Sequence, residues 1–379
     1  MQLSYYSFSS YPPELPDDLV ATGRDHTLAI AFGPSNALDN PVFFDRLRER
    51  LPHAHLIGCS TAGEIHQDRI LDGSLVLALL RFEHSRLRGA STPVETADGS
   101  RRAGTRLAEA LYGPDLRAIF VLSDGLGVNG TELIRGLNGV LGNRVAVTGG
   151  LAGDGSRFQR TWVLDDGGIG SRIVAAVGLY GDRLSIRHGS RGGWDKFGIV
   201  RTVTRAEGNT LYEMNGRPAL DLYKEYLGER AEELPASALL FPLAILSDSE
   251  DEQPLVRTVL GVDGADNSMT FAGDIPLGAR VQLMRANLER LIDGATEAAL
   301  AIGKGGAGDA AGLLIAISCV GRRLVLGERT EEELESVQRG LPAHMRQIGF
   351  YSYGEISPVT RGACELHNQT MTLTSIGEI

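Results

Sequence analysis

Cysteine is scarce: the 379 residues hold three, Cys59, Cys319 and Cys364, with no close pair among them. That excludes a disulfide framework and a thiolate zinc site, and it fits a reducing cytoplasm. Basic runs are absent as well. Lys and Arg number 37 against 48 Asp and Glu, a net charge of −11, so the chain lacks the positive field of a general nucleic-acid binder. No stretch approaches ~18 uninterrupted apolar residues, which argues against a membrane-spanning helix. The N-terminal "MQLSYYSFSSYPPELP" has no basic region ahead of an apolar core and does not read as a signal peptide. None of the histidines falls in an HExxH or similar metal pattern. Ser60 lacks a nucleophile elbow, because Ala62 stands where Gly-x-Ser-x-Gly needs its second glycine. The chain does not read as an enzyme.

Glycine, by contrast, is abundant, with 48 residues, and part of it repeats. Ile57, Gly58, Gly63, Glu64 and Ile65 recur as Ile348, Gly349, Gly354, Glu355 and Ile356, at an offset of 291 (349 − 58). Each copy follows a strand and a helix: "HTLAIAF" with "NPVFFDRLRERLP", and "GLLIAISC" with "TEEELESVQRGLP". In the first helix Asn40 is placed to cap and Phe44, Leu47 and Leu51 form the apolar stripe; in the second, Thr330 and Glu333 read as a capping box. A looser third copy runs from "RAIFVLSDG" through "TELIRGLNGVL" to "RVAVTGGLAGDG". The expected fold is α/β, with two similar halves, mixed β-sheets and glycine-rich loops at strand ends. The polar stretch 201–209 marks the seam, giving domains 1–207 and 208–379. After it, "TLYEMNGRPALDLYKEYLG" reads as a helical opening, and 247–254 as a solvated loop.

Chemistry can sit in few places. In the repeated loops, Ser60, Thr61, Glu64, Ser352, Tyr353 and Glu355 are candidates to line a cleft for a small polar metabolite, the carboxylates meeting an ammonium group. The plainer reading is a pair of glycine turns whose hydroxyls satisfy nearby backbone. Gly125, Gly127 and Gly130 match G-x-G-x-x-G between a strand and a helix, but no acidic residue ends the next strand to hold a ribose, so a tight turn is expected. "GKGGAG" (303–308) lacks the order of a phosphate loop and reads as a flexible connection. In "RHGSRGGWDKFG" an imidazole, two arginines and two aromatic rings come close in sequence. His188 could ligate haem iron there, with Arg187 or Arg191 near a propionate and Trp194 or Phe197 against the porphyrin face. The plainer alternative is a strand-end histidine in a polar turn.

Together, "IGCSTAGEI", "TGGLAGDG", "ALDLYKEYLG" and "GFYSYGEISP…LHNQTMTLTSIGE" resemble the FIST family of bacterial sensory proteins over nearly the whole chain. The resemblance implies a cytoplasmic ligand-sensing module with N- and C-terminal FIST halves. One branch, NosP-like, consists of nitric-oxide-sensing haemoproteins that regulate a histidine kinase or a cyclic-di-GMP enzyme in trans. The 187–198 segment makes this chain resemble that branch, which implies haem b, with His188 as the iron ligand and nitric oxide as the signal. Nitric oxide would then weaken the Fe–His bond and free the His188–Phe197 segment. The alternative is a haem-free sensor of a small polar metabolite such as an amino acid. In either case neither nucleic acid nor membrane is an expected partner, and a homo-oligomer is compatible with the family.

Overall fold

Apolar runs broken by glycine turns build one unit three times in succession. The computed structural model describes all residues except 18, 22, 235, 248–253, 304–311, 343 and 360–362, so most of 247–254 and 303–308 lies outside the described residues. The first unit holds β1 (Gln2–Phe8), β2 (Thr27–Gly33), α1 (Val42–Arg50), β3 (His55–Ser60), β4 (Glu64–His66), β5 (Arg69–Leu71) and β6 (Leu75–Arg81). The second holds β7 (Arg86–Pro93), α2 (Ser100–Leu111), β8 (Leu116–Ser123), α3 (Gly130–Leu141), β9 (Ala146–Leu151), β10 (Val163–Asp165), β11 (Gly168–Gly170) and β12 (Ile173–Tyr180).

The third unit opens with β13 (Leu184–Arg191) and is then interrupted. The interruption contains β14 (Asp195–Glu207), β15 (Thr210–Met214), β16 (Arg217–Pro218), α4 (Ala219–Leu227), β17 (Leu243–Ile245) and β18 (Leu255–Arg257). It ends with β19 (Val259–Asp263), β20 (Ser268–Phe271) and β21 (Arg280–Arg285). The unit resumes with α5 (Leu288–Gly303), β22 (Gly312–Cys319), α6 (Val320–Leu326) and α7 (Thr330–Arg339). It closes with β23 (Met345–Ser352), β24 (Gly354–Pro358), β25 (Cys364–His367) and β26 (Met371–Glu378).

Three six-stranded sheets follow one plan, in the orders β1-β6-β2-β3-β10-β11, β7-β12-β8-β9-β24-β25 and β13-β26-β22-β23-β4-β5. Each has one parallel pair, β2/β3, β8/β9 or β22/β23, with its crossover helix outside the sheet. These strands are buried on both faces, so they read as continuous apolar runs such as "LAIAF" and "LLIAI". Each unit also gives its hairpin away: β4–β5 joins β23, β10–β11 joins β3, and β24–β25 joins β9. The exchange runs around a pseudo-threefold axis. Phe32, Phe120 and Phe350, one from each unit, share the core between the sheets. The interrupting segment forms a separate sheet with α4 over its own apolar cluster.

The fold is mixed α/β, as expected, and the looser third copy is a complete unit. The 201–209 seam falls in β14 and the turn to β15, and the first part of "TLYEMNGRPALDLYKEYLG" is strand, with helix only from Ala219. Asn40 does not cap α1; Pro41 occupies the cap position without a side-chain bond. Nor is Thr330–Glu333 a capping box. Thr330 donates backwards to the Gly327 carbonyl at 2.5 Å, and Glu333 turns inward to Arg322.

Glu378 fastens the first two units to the third. Its carboxylate accepts the backbone N–H groups of Glu83, His84 and Ser85 and the Ser85 hydroxyl, at 2.6–2.8 Å. Burial raises its pKa, but the donors outweigh that and hold it at about 2, below the ordinary 4.5. A depressed carboxylate contributes stability above the unfolded pKa and loses it as pH falls toward the folded one. Glu378→Gln should therefore cost on the order of 2 kcal/mol at neutral pH. In urea titrations at a series of pH values, the gap to the unmodified protein should close between pH 4.5 and about 2. A gap that does not change with pH would show that the charge is not what the turn holds.

Candidate functional site

The motif loops meet where the three units meet. Gly58, Gly149 and Gly349 sit at equivalent points on the second strand of each parallel pair, against Ala31, Val121 and Ala316. Four residues beyond each glycine, a backbone N–H crosses to the next unit. Ala62 donates to the Tyr351 carbonyl (2.8 Å), Tyr353 to Leu151 (3.2 Å) and Gly153 to Ser60 (2.9 Å). These three bonds close a ring around the axis. The two Gly-Glu-Ile loops touch directly, because Tyr351 N–H also donates to the Gly63 carbonyl at 2.8 Å.

Inside this ring two loops build the same polar cluster. Thr61 Oγ1 donates to Glu64 at 2.5 Å, and the other carboxylate oxygen accepts the Ser74 hydroxyl (2.8 Å) and N–H (3.2 Å). Ser352 Oγ donates to Glu355 at 2.6 Å, and its second oxygen accepts the Thr370 hydroxyl (3.0 Å) and N–H (3.2 Å). Ser74 and Thr370 both lie just before equivalent strands, β6 and β26. Both glutamates are buried, and burial raises their pKa values to about 7 for Glu64 and about 8 for Glu355. The second unit has no glutamate here. Its Asp154 accepts the N–H groups of Phe158, Gln159 and Arg160 and the Tyr353 hydroxyl. Burial raises the Asp154 pKa, but these donors more than reverse it. Phe158 then stacks on Tyr353 with ring centroids 4.4 Å apart.

Five of the six small-ligand candidates thus share the axis with Asp154, each already hydrogen-bonded to protein. The sixth, Ser60, joins the ring through its carbonyl only; its hydroxyl accepts the Trp162 N–H at 3.0 Å.

The haem candidates do not converge. His188 lies in the middle of β13, beside Thr374 of β26. Its neighbours Arg187 and Arg191 sit on the opposite face of that strand, with Gly189, against α5: Arg187 donates to the Ile302 carbonyl and Arg191 approaches Glu297. Trp194 is buried with Ala244, Val256 and Leu291. Phe197 packs edge-on to Tyr226 in the interrupting sheet. A porphyrin on His188 cannot also reach these arginines and rings, so the five residues do not fit a haem site. Among the described residues no three metal-ligating side chains cluster either.

Two adjoining cavities of about 120 and 230 Å³ share Leu56 and Asp166 at the opposite end of β3 from the axis. Their polar groups are engaged: Asp166 takes His55 Nδ1 (2.9 Å) and the Leu56 N–H (2.8 Å), and Asp165 takes the Gly167 N–H (2.7 Å). The G-x-G-x-x-G turn is a tight turn, with the Leu126 and Gly127 N–H groups on Asp124 Oδ1.

Sequence reasoning missed Asp154, and it missed the fully buried ion pair of Arg322 and Glu333 (2.8 Å). Glu333 also accepts the Tyr351 hydroxyl at 2.8 Å and Ser318 Oγ at 3.0 Å, which links the pair to the axis strand. The available signal was "GRRLVL" opening a helix straight after an apolar strand.

Among the described residues no helix is long and apolar enough to cross a membrane. An uncharacterized protein of Methanocaldococcus jannaschii is 24% identical over 275 residues, covering 66% of this chain and 52% of its own length, so the chain matches about half of that relative. A cyanuric acid hydrolase structure from A. caulinodans aligns over 99% of this chain and 98% of its own, with 10% identity and a TM-score of 0.40. PurLQS from Thermotoga maritima aligns over 84% and 74%, with 10% identity and a TM-score of 0.21. Residues 27–217 match the FIST N domain and 219–358 the FIST C domain, so the chain belongs to the FIST family of sensory signal-transduction domains.

Proposed function

We propose that the chain is a non-enzymatic sensor of a small polar metabolite, read at the axis and reported to a separate signalling enzyme. One observation carries this reading: loops from all three units close on one axis through the ring of backbone hydrogen bonds. A ligand that shifts any one loop changes the bonds of the other two, which gives a switch between discrete arrangements. The buried Glu64 and Glu355 supply carboxyls beside hydroxyl donors, a setting suited to an ammonium or amide ligand. A histidine kinase or a cyclic-di-GMP enzyme acting in trans is the partner this reading takes.

A second reading, haem b sensing nitric oxide, would have to rest on His188 alone of the five residues. Burial lowers the His188 pKa and keeps the imidazole in the neutral form that binds metal, but the remaining candidates lie elsewhere. Thermal unfolding against a panel of amino acids and other small polar metabolites tests the main reading. A ligand present at 100 times its Kd should stabilise the protein by ~2.7 kcal/mol. An unmoved Tm across the panel, together with a Soret band that His188→Ala abolishes, would reverse the order of the two proposals.

A further inference from the structure

Two segments far apart in the chain, 192–194 and 367–370, meet beside the Glu355 cluster. Trp194 Nε1 donates to the Gln369 carbonyl at 2.9 Å. Arg322 donates to the Gly192 carbonyl and, at 3.5 Å, to that of Gln369. Gln369 itself has φ +60, a left-handed conformation that side-chain-bearing residues adopt at a cost.

Its side chain is 0% exposed, yet neither Nε2 nor Oε1 has a hydrogen-bond partner among the described residues. The Oδ1 of Asn368, also fully buried, has none either. At the axis Glu64, Glu355 and Asp154 all have partners, and this turn differs from them. Buried polar atoms without partners destabilise a fold and ask for an explanation. The amide lies against Gly321, where an alanine Cβ would come within 2.5 Å of Nε2. The strap 192–194 closes over the turn's backbone, with Gly193 at φ +80.

We propose that the Asn368–Gln369 turn is a ligand-recognition element, and that its ligand is a small molecule bearing a primary carboxamide. The unpaired groups are one donor nitrogen and two acceptor oxygens. A carboxamide offers the complement, one carbonyl and two N–H groups, whereas a carboxylate has no N–H to give either oxygen. Entry requires the 192–194 strap to lift. That strap leads directly into β14, so binding at the turn moves the interrupting sheet. Thr370, the next residue, holds Glu355 and connects the turn to the axis. This inference rests on the sensory reading above and names the ligand-contacting residues of that same site.

The test uses the full chain with L-glutamine and L-asparagine as probes, and L-glutamate and L-aspartate as near-isosteric controls. Tm and the emission of Trp194, identified by its loss in Trp194→Phe, are followed together. The carboxamides should raise Tm and shift the emission saturably, and the acids should do neither. Gln369→Leu should fold with a Tm no lower than that of the unmodified protein, because it removes unpaired groups. It should bind the carboxamides at least about tenfold more weakly. If that variant fails to fold, Gly321→Ala, whose methyl group crowds Nε2, should show the same loss. Equal stabilisation of the unmodified protein and the variants would place recognition elsewhere and overturn the inference while leaving the sensory reading intact. A response to glutamate as strong as to glutamine, or none to any of the four compounds, would overturn it too. The wider metabolite panel judges the sensory reading separately.

Discussion

Gly149→Ala and Gly349→Ala should each yield little or no folded protein. In both, the new Cβ would lie 1.7 Å from a backbone carbonyl oxygen, that of Val121 or Ala316, on the neighbouring parallel strand. A flexible side chain could swing away from such a contact. These oxygens belong to the central strands of buried sheets, and moving them pulls apart the pairing that positions the axis loops. Gly149 is further constrained by φ +149, where alanine is strained even without the clash. Overpacking of ordinary cores costs about 1–3 kcal/mol, and a backbone clash with strain belongs beyond the ~4 kcal/mol that marks exceptional substitutions. Gly58→Ala meets the Ala31 carbonyl at 2.1 Å and should behave alike. The control is Gly139→Ala on α3, where an added Cβ meets nothing within 4 Å. That variant should gain roughly 0.5–1 kcal/mol, since alanine is the better helix former. Soluble yield and urea midpoints of the four variants decide the matter. Normal folding of Gly149→Ala and Gly349→Ala would mean that the strands tolerate wider spacing than the structure has.

These glycines explain both what was legible in the sequence and what was not. The spacing from Gly58 to Glu64 recurs from Gly349 to Glu355 because both loops answer the same two needs, a close strand approach and a buried carboxylate. The second unit meets both needs but shifts the carboxylate: the buried Asp154 lies five residues after Gly149, whereas Glu64 and Glu355 lie six after their glycines. Gly149 persists while Asp154 replaces the glutamate, so the copy looks loose although the backbone is equivalent. Hairpin exchange has no local signature, since β4 looks the same in sequence whether it pairs with β3 or with β23. The interrupting sheet was hidden for another reason: in β14, Gly198 and the adjacent Ile199 and Val200 break the polar–apolar alternation that marks a strand. Of the site, the loop hydroxyls and glutamates were readable from the repeat. The scattering of His188, Arg187, Arg191, Trp194 and Phe197 was not: alternation along β13 sends His188 and the arginines to opposite faces, and Trp194 and Phe197 lie beyond its end. Glu333 was misread for a similar reason. Thr-x-x-Glu at a helix start fits a capping box, and only the tertiary partner Arg322 shows where the carboxylate goes.

That partner gives the second large effect. Arg322→Met should destabilise the protein by about 3–5 kcal/mol, because it leaves Glu333 charged and buried without its cation. Glu333→Gln should cost a comparable amount by stranding the guanidinium, and the double variant should cost much less than the sum, as coupled neighbours do. Recovery should still be incomplete. Arg322 also donates to the carbonyls of Gly192 and Leu291, which the methionine cannot satisfy. Gly192 immediately precedes the interrupting sheet and Leu291 follows it, so one guanidinium gathers both ends of that sheet at its neck. Hydrogen exchange separates this clamp from general loss of stability. In Arg322→Met, residues 190–196 and 286–292 should exchange faster even under conditions where β8 keeps its protection, whereas Glu333→Gln, which retains the guanidinium, should loosen the neck less. Equal acceleration across β8 and the neck in both variants would reduce Arg322 to a core ion pair. A selective loosening would identify it as the link through which the axis, via Tyr351 and Glu333, holds the interrupting sheet in place.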